Sequence, residues 1–423
     1  MLDINFIRQN PKLVKEGVKN KKVNLDIDEI LGLDNQKRDL LKEVEDLRAK
    51  QKSFNDEIRD QKSETEKQKI LEKMKDIKGE IQKLEEKLNE VADLLQEKLL
   101  QIPNIPLDDV KIGKDESDNE ILREVGDIKK FDFETKNHIE LGKDLDIIDI
   151  ERATKISGSR FYFLKGDAAL LEFALIQYSL KKLAEKDFTP VIPPVMVSEK
   201  AMGAMGFLSR ASDSEEVYHF EKDNLYLVGT SEQSIGTMYL DEVLKEEELP
   251  KRYAGFSTCF RREAGSYGKD TKGILRVHQF DKLERFIFCK QEDSDSEHEK
   301  MLSDTEEMMK ELGLPYRVLK LCTGDLGFAS ARTYDIETWI PSENKYRETH
   351  SISACGDFQS RRLNTKYKNK KTGKNGFVYT LNGTVFAIGR ILIAILENYQ
   401  NADGSITVPE VLRGYVGKDA IKK

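Results

Sequence analysis

The sequence is poor in the residues that build metal and redox sites. Its four cysteines, Cys259, Cys289, Cys322 and Cys355, form no C-x-x-C pair, which argues against a thiolate zinc site. Thiols scattered in this way suit a reducing compartment, and a cytoplasmic chain is expected. The five histidines include no H-x-x-x-H pair. There is no G-x-x-x-x-G-K-[ST] and no strand–GxGxxG–helix unit, so neither a P-loop nor a Rossmann nucleotide site is signalled. No run approaches the roughly 20 apolar residues of a membrane span. The best candidate, VFAIGRILIAIL, is interrupted by Arg390. The opening MLDINFIRQNPKLVKEG carries charges throughout and does not read as a secretory signal. A net charge of −8 speaks against indiscriminate DNA binding but leaves room for a locally basic nucleic-acid surface.

What is present divides the chain of 423 residues into two parts. Residues 28–100 contain no proline. Leu33, Leu40, Leu47 and Phe54 recur every seventh residue, with Val44 and Ile58 at alternate positions. Further on, Ile70, Met74, Ile77, Ile81, Leu84, Leu88, Val91 and Leu95 keep a 4-3-4-3 rhythm. These are the a/d seams of two long helices. QKSETEKQ (Gln61 to Gln68) lacks the seam and reads as the turn of an antiparallel coiled-coil hairpin. About 35 residues per helix make an arm roughly 50 Å long. A spacer or dimerisation coil satisfies this periodicity as well as a binding arm does. Arg8, Lys12, Lys15, Lys19, Lys21 and Lys22 offer a phosphate-binding patch or an ordinary solvated face.

IPNIPLDDVKIGK (Ile102 to Lys114), with two prolines and a glycine, reads as a linker, giving domains at 1–110 and 111–423. Beyond it, expected helices (Ala168–Lys186, Ser231–Glu247, Ser294–Leu312, Thr384–Gln400) alternate with strand-like runs. Those runs are LYLVGT, YAGFSTCFRR, GILRVHQFDKLERFIF, YRVLKLCT, TYDIETWI and FVYTLNG. The fold class is α+β, a mainly antiparallel sheet flanked by helices and preceded by the coiled-coil hairpin.

One strip concentrates charge: FRREAGSYGKDTKGILRVHQFDKLERF, Phe260 to Phe286. Taken as a strand, Phe256–Glu263 puts Arg261 and Glu263 on one face with Ser257 and Cys259. Gly265, Ser266, Gly268 and Gly273 then make a hairpin loop with a basic, mobile tip at Lys269 and Lys272. Alone, this is an ordinary surface ion pair worth about 0–1 kcal/mol. Three other segments supply complementary chemistry. VGTSE (Val228–Glu232) ends a strand in hydroxyls and a carboxylate. YRETHS (Tyr346–Ser351) offers Glu348 and Ser351. TLNGTVFAIGR (Thr380–Arg390) brings Asn382 and Thr384 to a helix N-terminus and Arg390 two turns in. Arginines suit phosphate oxygens, and a carboxylate suits Mg²⁺.

These segments resemble class II aminoacyl-tRNA synthetases, and among them the seryl-tRNA synthetase family. The strip Phe260–Glu284 resembles motif 2, TLNGTVFAIGR resembles motif 3, and DFTPVIPPVMV (Asp187–Val197) resembles motif 1. MLDINFIRQNP and ILENYQNADGSITVPEVLRGY are also close to that family's pattern, so the resemblance runs end to end. It implies ATP and Mg²⁺, with Arg261 at the α-phosphate and the serine carboxylate, Glu263 at the adenine amino group, and Phe280 stacking on adenine near Val277. Arg390 would meet the γ-phosphate, and Glu348 with Ser351 would bind the metal. Arg262, Thr349 and His350 join the implied ATP set. Thr230, Ser231, Glu232, Arg261, Glu284, Asn382 and Thr384 form the implied serine set, and Arg261, Glu348 and Arg390 the catalytic set. The implied partners are serine tRNA, held by the arm through its long variable region, and a second copy joined through motif 1. Neither DNA nor a membrane is an implied partner. One stretch departs from the family's usual Ser-Cys-Ser-Asn-like run: THSISACGDFQSRR follows Glu348, with His350, Ala354 and Cys355 out of pattern.

The implied reaction is activation of L-serine with ATP and transfer to the 3'-terminal adenosine of serine tRNA, and selenocysteine tRNA is a further candidate substrate. Two other readings remain beside it. A synthetase-like ligase loading a small amino acid on a carrier protein keeps the core and lacks the long arm. A coiled-coil scaffold explains the arm but not Arg261, Glu263, Glu348 and Arg390 together.

Overall fold

The computed structural model describes residues 1–209, 211–264 and 272–423. Gly265, Ser266, Gly268 and Lys269, expected in the hairpin tip, lie outside the described residues. The chain forms two compact units, Met1–Pro103 and Asn104–Lys423. The division falls before the expected boundary at 110. The reason is hydrogen bonding: Asn104 donates from its amide to Phe328 O (3.0 Å) and from Nδ2 to Cys355 O (2.8 Å), and Leu107 N donates to Ala331 O (3.0 Å). The proline-containing stretch is thereby pinned to the second unit.

The first unit holds two short helices, α1 (Ile4–Gln9) and α2 (Pro11–Asn20), and two long ones, α3 (Ile27–Asp60) and α4 (Glu64–Leu100). Proline at the first position of α2 and the Asp26 cap of α3, which accepts from Asp28 and Glu29 amides, fix where these helices begin. All the expected seam residues are buried or half-buried. Antiparallel register is visible in Arg48–Glu85 (2.6 Å) and Lys98–Glu29 (3.0 Å). The turn is shorter than expected. α4 starts at Glu64 because Glu64 and Glu66 sit in its first turn, where carboxylates favour the helix dipole without any apolar seam. Two cations of the basic leader are neutralised locally, Arg8 by Asp34 (2.9 Å) and Lys15 by Asp28 (2.7 Å).

The second unit is built on an eight-stranded sheet. In chain order its strands are β1 (Glu120–Val125), β2 (Thr189–Val191), β3 (Lys251–Phe260), β4 (Gln279–Cys289), β5 (Tyr316–Lys320), β6 (Arg332–Ile340), β7 (Lys345–Gly356) and β8 (Tyr379–Ala387). Their spatial order is β1-β5-β6-β7-β8-β4-β3-β2, antiparallel throughout except for the parallel β2–β3 pair. Helices α5 (Asp167–Ala184), α6 (Glu232–Ile235), α7 (Ser294–Glu311), α8 (Phe358–Leu363) and α9 (Ile388–Asn398) flank it. α5, α7 and α9 share one apolar core with the sheet, with Leu171, Met301, Leu283, Ile336 and Ile391 among its buried residues.

Three sequence expectations change. Ser231–Glu247 is not one helix: only Glu232–Ile235 is α-helical, and after turns come a short strand at Val243–Lys245 and a 3-10 turn at Glu246–Glu248. Thr384 and Asn382 lie in β8, not at a helix start, because alternate apolar residues pair this stretch with β4, Thr384 opposite Glu284. Arg390 is therefore the third residue of α9. Finally, β3 stops at Phe260, so the alternation meant to pair Arg261 with Glu263 ends first, and Glu263 takes φ 53°. No helix among the described residues is long and apolar enough to cross a membrane.

Two buried histidines give the second unit a pH dependence. His298 Nε2 donates to Ile352 O (2.9 Å), while Nδ1 accepts from Arg332 Nε (3.3 Å). Burial, with Arg332 beside it, pushes His298 down from 6.5 to about 4. Burial likewise holds His350 down at about 3. A base that resists protonation only when folded leaves the unfolded chain with more bound protons, so stability falls as pH drops from about 6.5 toward 4. Thermal melting across that window should show the fall, and His298→Gln should lessen it, His350 supplying the rest. A melting temperature level from pH 6.5 to 4 would contradict this.

Candidate active site

The central strands β3, β4, β7 and β8 gather the charged side chains at two adjoining cavities. One, of about 210 Å³, is lined by Arg261, Glu263, Val277, Phe280, Glu348, Thr349 and Arg390 among others. The other, of about 470 Å³, is lined by Thr230, Glu232, Glu284, Ser351, Asn382 and Thr384, together with the buried Cys355 and the half-buried Phe207 and Phe328. Arg261, Lys282 and Thr384 line both.

In the smaller cavity the arginines are held in place by backbone. Arg261 Nε donates to Gly229 O (3.1 Å), and its guanidinium lies 5.3 Å from the centroid of the Phe280 ring. Arg390 bonds Glu348 O (2.8 Å) and faces Glu348 Oε2 at 3.3 Å. Glu263 pairs with Arg276 at 2.6 Å. Arg390, Arg261 and Lys282 hold the half-exposed Glu348 carboxyl below its usual range. Asp335, opposite Ser351 on β6, is pushed well above the carboxylate range by burial and by the Glu348 charge. Its Oδ1 is buried without a hydrogen-bond partner.

The larger cavity has a layered floor. Glu284 Oε2 accepts from Thr384 Oγ1 (3.3 Å) and pairs with Lys282, which also donates to Thr230 Oγ1 (3.3 Å). Glu232 Oε1 accepts from Gln359 (2.9 Å) and Asn382 (3.1 Å), and Gln359 accepts from Thr380 (2.7 Å). Burial and the neighbouring Glu284 push Glu232 up to about 7, against the lowering effect of Gln359, Lys282 and Arg261. The short helix α6 can approach because Gly255 has no side chain: a Cβ there would meet Ile235 Cδ1 at 2.2 Å.

Three expected residues are not brought to either cavity. Ser231 is fully buried, its hydroxyl bonded to Gly255 O (3.1 Å). Arg262 is exposed, with its amide tied to Glu216 O (2.9 Å). His350 points into the sheet interior, against Thr349 Oγ1 (2.8 Å) and the Phe386 ring. Ser351 lines the larger cavity, not the smaller. Sequence reasoning missed Lys282, Arg276, Gln359 and Asp335. Period-two alternation between Phe280 and Glu284 could have found Lys282. Pairing of TYDIETWI with YRETHS could have found Asp335. Nothing local marks Gln359, a buried amide in a one-turn-and-a-half helix.

Comparison with known proteins agrees with this layout. Residues 1–106 match the family model described as "Seryl-tRNA synthetase N-terminal domain". Residues 217–399 match "tRNA synthetase class II core domain (G, H, P, S and T)". A serine–tRNA ligase of Thermodesulfovibrio yellowstonii is 46% identical over 426 residues, spanning all of both chains. The chain belongs to the seryl-tRNA synthetase family. A Carboxydothermus hydrogenoformans serine–tRNA ligase is 44% identical, again with full coverage of both. Among solved structures, a seryl-tRNA synthetase from Pyrococcus horikoshii complexed with ATP is similar at TM-score 0.93 and 39% identity, covering 100% of this chain and 99% of that one. A cytoplasmic serine–tRNA ligase from Naegleria fowleri in complex with AMP follows at TM-score 0.89 and 31% identity, with the same coverage.

Proposed function

We propose that the chain activates L-serine with ATP to seryl-adenylate and transfers the seryl group to the 3'-terminal adenosine of serine tRNA. The observation that carries this is the pair of adjoining cavities, one suited to a nucleotide and one to a small polar zwitterion, meeting at Arg261. The match of residues 1–106 favours it over a carrier-loading ligase, which lacks a tRNA arm.

ATP fits the smaller cavity by chemistry. Phe280 offers a ring face, Glu263 an acceptor for an exocyclic amine, and Arg261 and Arg390 planar donors for phosphate oxygens. Serine fits the larger cavity. Its ammonium and hydroxyl need acceptors, and Thr230, Glu232, Glu284 and Thr384 supply them. Alanine would leave those buried groups unpaired, and discrimination of this type reaches about 10⁴–10⁵.

Adenylate formation needs positioning and charge stabilisation more than a protein nucleophile. A serine carboxylate oxygen bonds to the α-phosphorus, and the bond to the bridging oxygen of pyrophosphate breaks. Arg261, at the junction, can neutralise both the carboxylate and the α-phosphate. Transfer then joins a ribose hydroxyl to the seryl carbonyl as AMP departs.

Mg²⁺ fits the residues present. Glu348 carboxylate and Ser351 hydroxyl are hard oxygen donors, and the unpartnered Asp335 Oδ1 lies on the strand paired with Ser351. No cluster of three or more His, Cys, Asp or Glu among the described residues could hold a metal, so the ion would share these oxygens with ATP. When bound, it would supply charge neutralisation at the phosphates.

The arm is the proposed holder of tRNA. A chain beginning at Asn104 should keep serine-dependent pyrophosphate exchange within about threefold and lose charging of tRNA by about 10²-fold or more, since remote binding positions the reacting end. Undiminished charging would overturn the arm's role. A homodimer is proposed through the edge strand β2 and α5, where Ile192, Phe173 and Leu170 are 85%, 67% and 46% exposed. The four cysteines are buried and none is in a disulfide, which suits the cytoplasm. Pyrophosphate exchange driven by a panel of amino acids tests the activity: serine should stand alone, and exchange with another amino acid in its place would overturn the reading.

A further inference from the structure

Phe280, Lys282 and Glu284 are alternate residues of β4, so their side chains leave one face of the sheet at about 7 Å intervals. Their order follows the two cavities. Phe280 lines the smaller, Glu284 the larger, and Lys282 both. Lys282 is only 8% exposed. Its ammonium pairs with Glu284 Oε2 and donates to Thr230 Oγ1 at 3.3 Å, both in the larger cavity, and the side chain also lines the smaller one. An ammonium on a flexible stem carries three rotatable donors and can turn among such acceptors. Adenylate formation brings two anions together where the cavities meet, and Arg261 approaches from β3's end of the site alone.

We propose that Lys282 is a catalytic residue of adenylate formation, its ammonium reaching from Glu284 and Thr230 to the serine carboxylate and the α-phosphate where they join. This rests on the activity proposed above. As the carboxylate oxygen bonds to the α-phosphorus and the bridging oxygen leaves with pyrophosphate, negative charge builds on the α-phosphate oxygens. Lys282 stabilises that charge opposite Arg261 and keeps its own protons throughout. A lysine that merely accompanies Glu284 would instead shape serine binding and leave the chemical step alone.

Kinetics separate the two roles. Lys282→Gln keeps a donor toward Thr230 and Glu284 without the charge. It should lower kcat of serine-dependent pyrophosphate exchange by about 10²–10³-fold, the usual cost of one such donor. Serine KM should move by less than about threefold. Lys282→Ala, assayed with added ethylammonium, should recover part of kcat, a response that a folding defect does not give. A kcat within about threefold of the parent, or a loss carried by serine KM with no recovery by the amine, overturns the proposal. A parent chain with no serine-dependent exchange overturns the activity reading itself. An active parent beside an equally active Lys282→Gln overturns only the role of Lys282.

Discussion

Replacing Arg261 by alanine should lower serine-dependent pyrophosphate exchange by about 10³-fold or more, the largest single loss expected in this chain. Arg261 lines both cavities, and its guanidinium is aimed by a bond to Gly229 O and by the Phe280 ring. Two anions must meet beside it. Without it, their repulsion is met only by Lys282, Arg390 and Mg²⁺. The loss should appear in kcat more than in either KM, because the charge it offsets is greatest in the transition state. Arg261→Lys should recover little, since an ammonium lacks the planar fork that meets two oxygens at once. The fold should survive, because the strand-end bond from Arg261 N to His278 O (3.0 Å) is main chain and remains. A melting temperature near the parent's, with exchange reduced less than about tenfold, would remove Arg261 from the centre of the mechanism.

Glu284→Gln carries the second large effect, on a different parameter. Glu284 is 1% exposed and takes Thr384 and Lys282 on the same oxygen. The amide keeps its shape but withdraws the negative charge from the serine pocket. Serine kcat/KM should fall by about 10³-fold, within the range that a missing polar partner in a built site produces. ATP binding, measured by itself, should change by less than about threefold, because Glu284 lines only the larger cavity. Some stability should be lost too, since Lys282 is left as a buried cation without its counter-ion. Equal losses in serine activation and ATP binding would refute the division of labour between the cavities.

Sequence patterns carried the arm and the sheet well, for reasons visible in particular residues. Leu33, Leu40, Leu47 and Phe54 announce a helix seam because burial in a two-helix arm has no other way to repeat. β-Branched and aromatic alternation marked TYDIETWI and YAGFSTCFRR. It was lost on Ser231–Glu247, where polar residues at helical spacing met only a one-turn helix, α6, pressed against Gly255. Site residues drawn from contiguous motifs divided by strand geometry. Thr230 and Glu232 line a cavity while Ser231 between them binds the backbone. Thr349 lines a cavity while His350 turns into the core. Neighbours along extended chain face opposite ways, so a run of motif residues overstates the site. Lys282 and Asp335 escaped notice for the converse reason: they belong to the same face as named residues but to no run of them. Gln359 reaches Glu232 from a separate helix across a long sequence interval, and no local pattern encodes that approach.

The measurement that bears most directly on the central claim is charging of total tRNA by the full chain with ATP, Mg²⁺ and a panel of labelled amino acids. Label should enter tRNA from serine alone, which joins activation, selectivity and the tRNA partnership in one readout. Serine activated without any labelled tRNA, or tRNA labelled with another amino acid, would contradict the account.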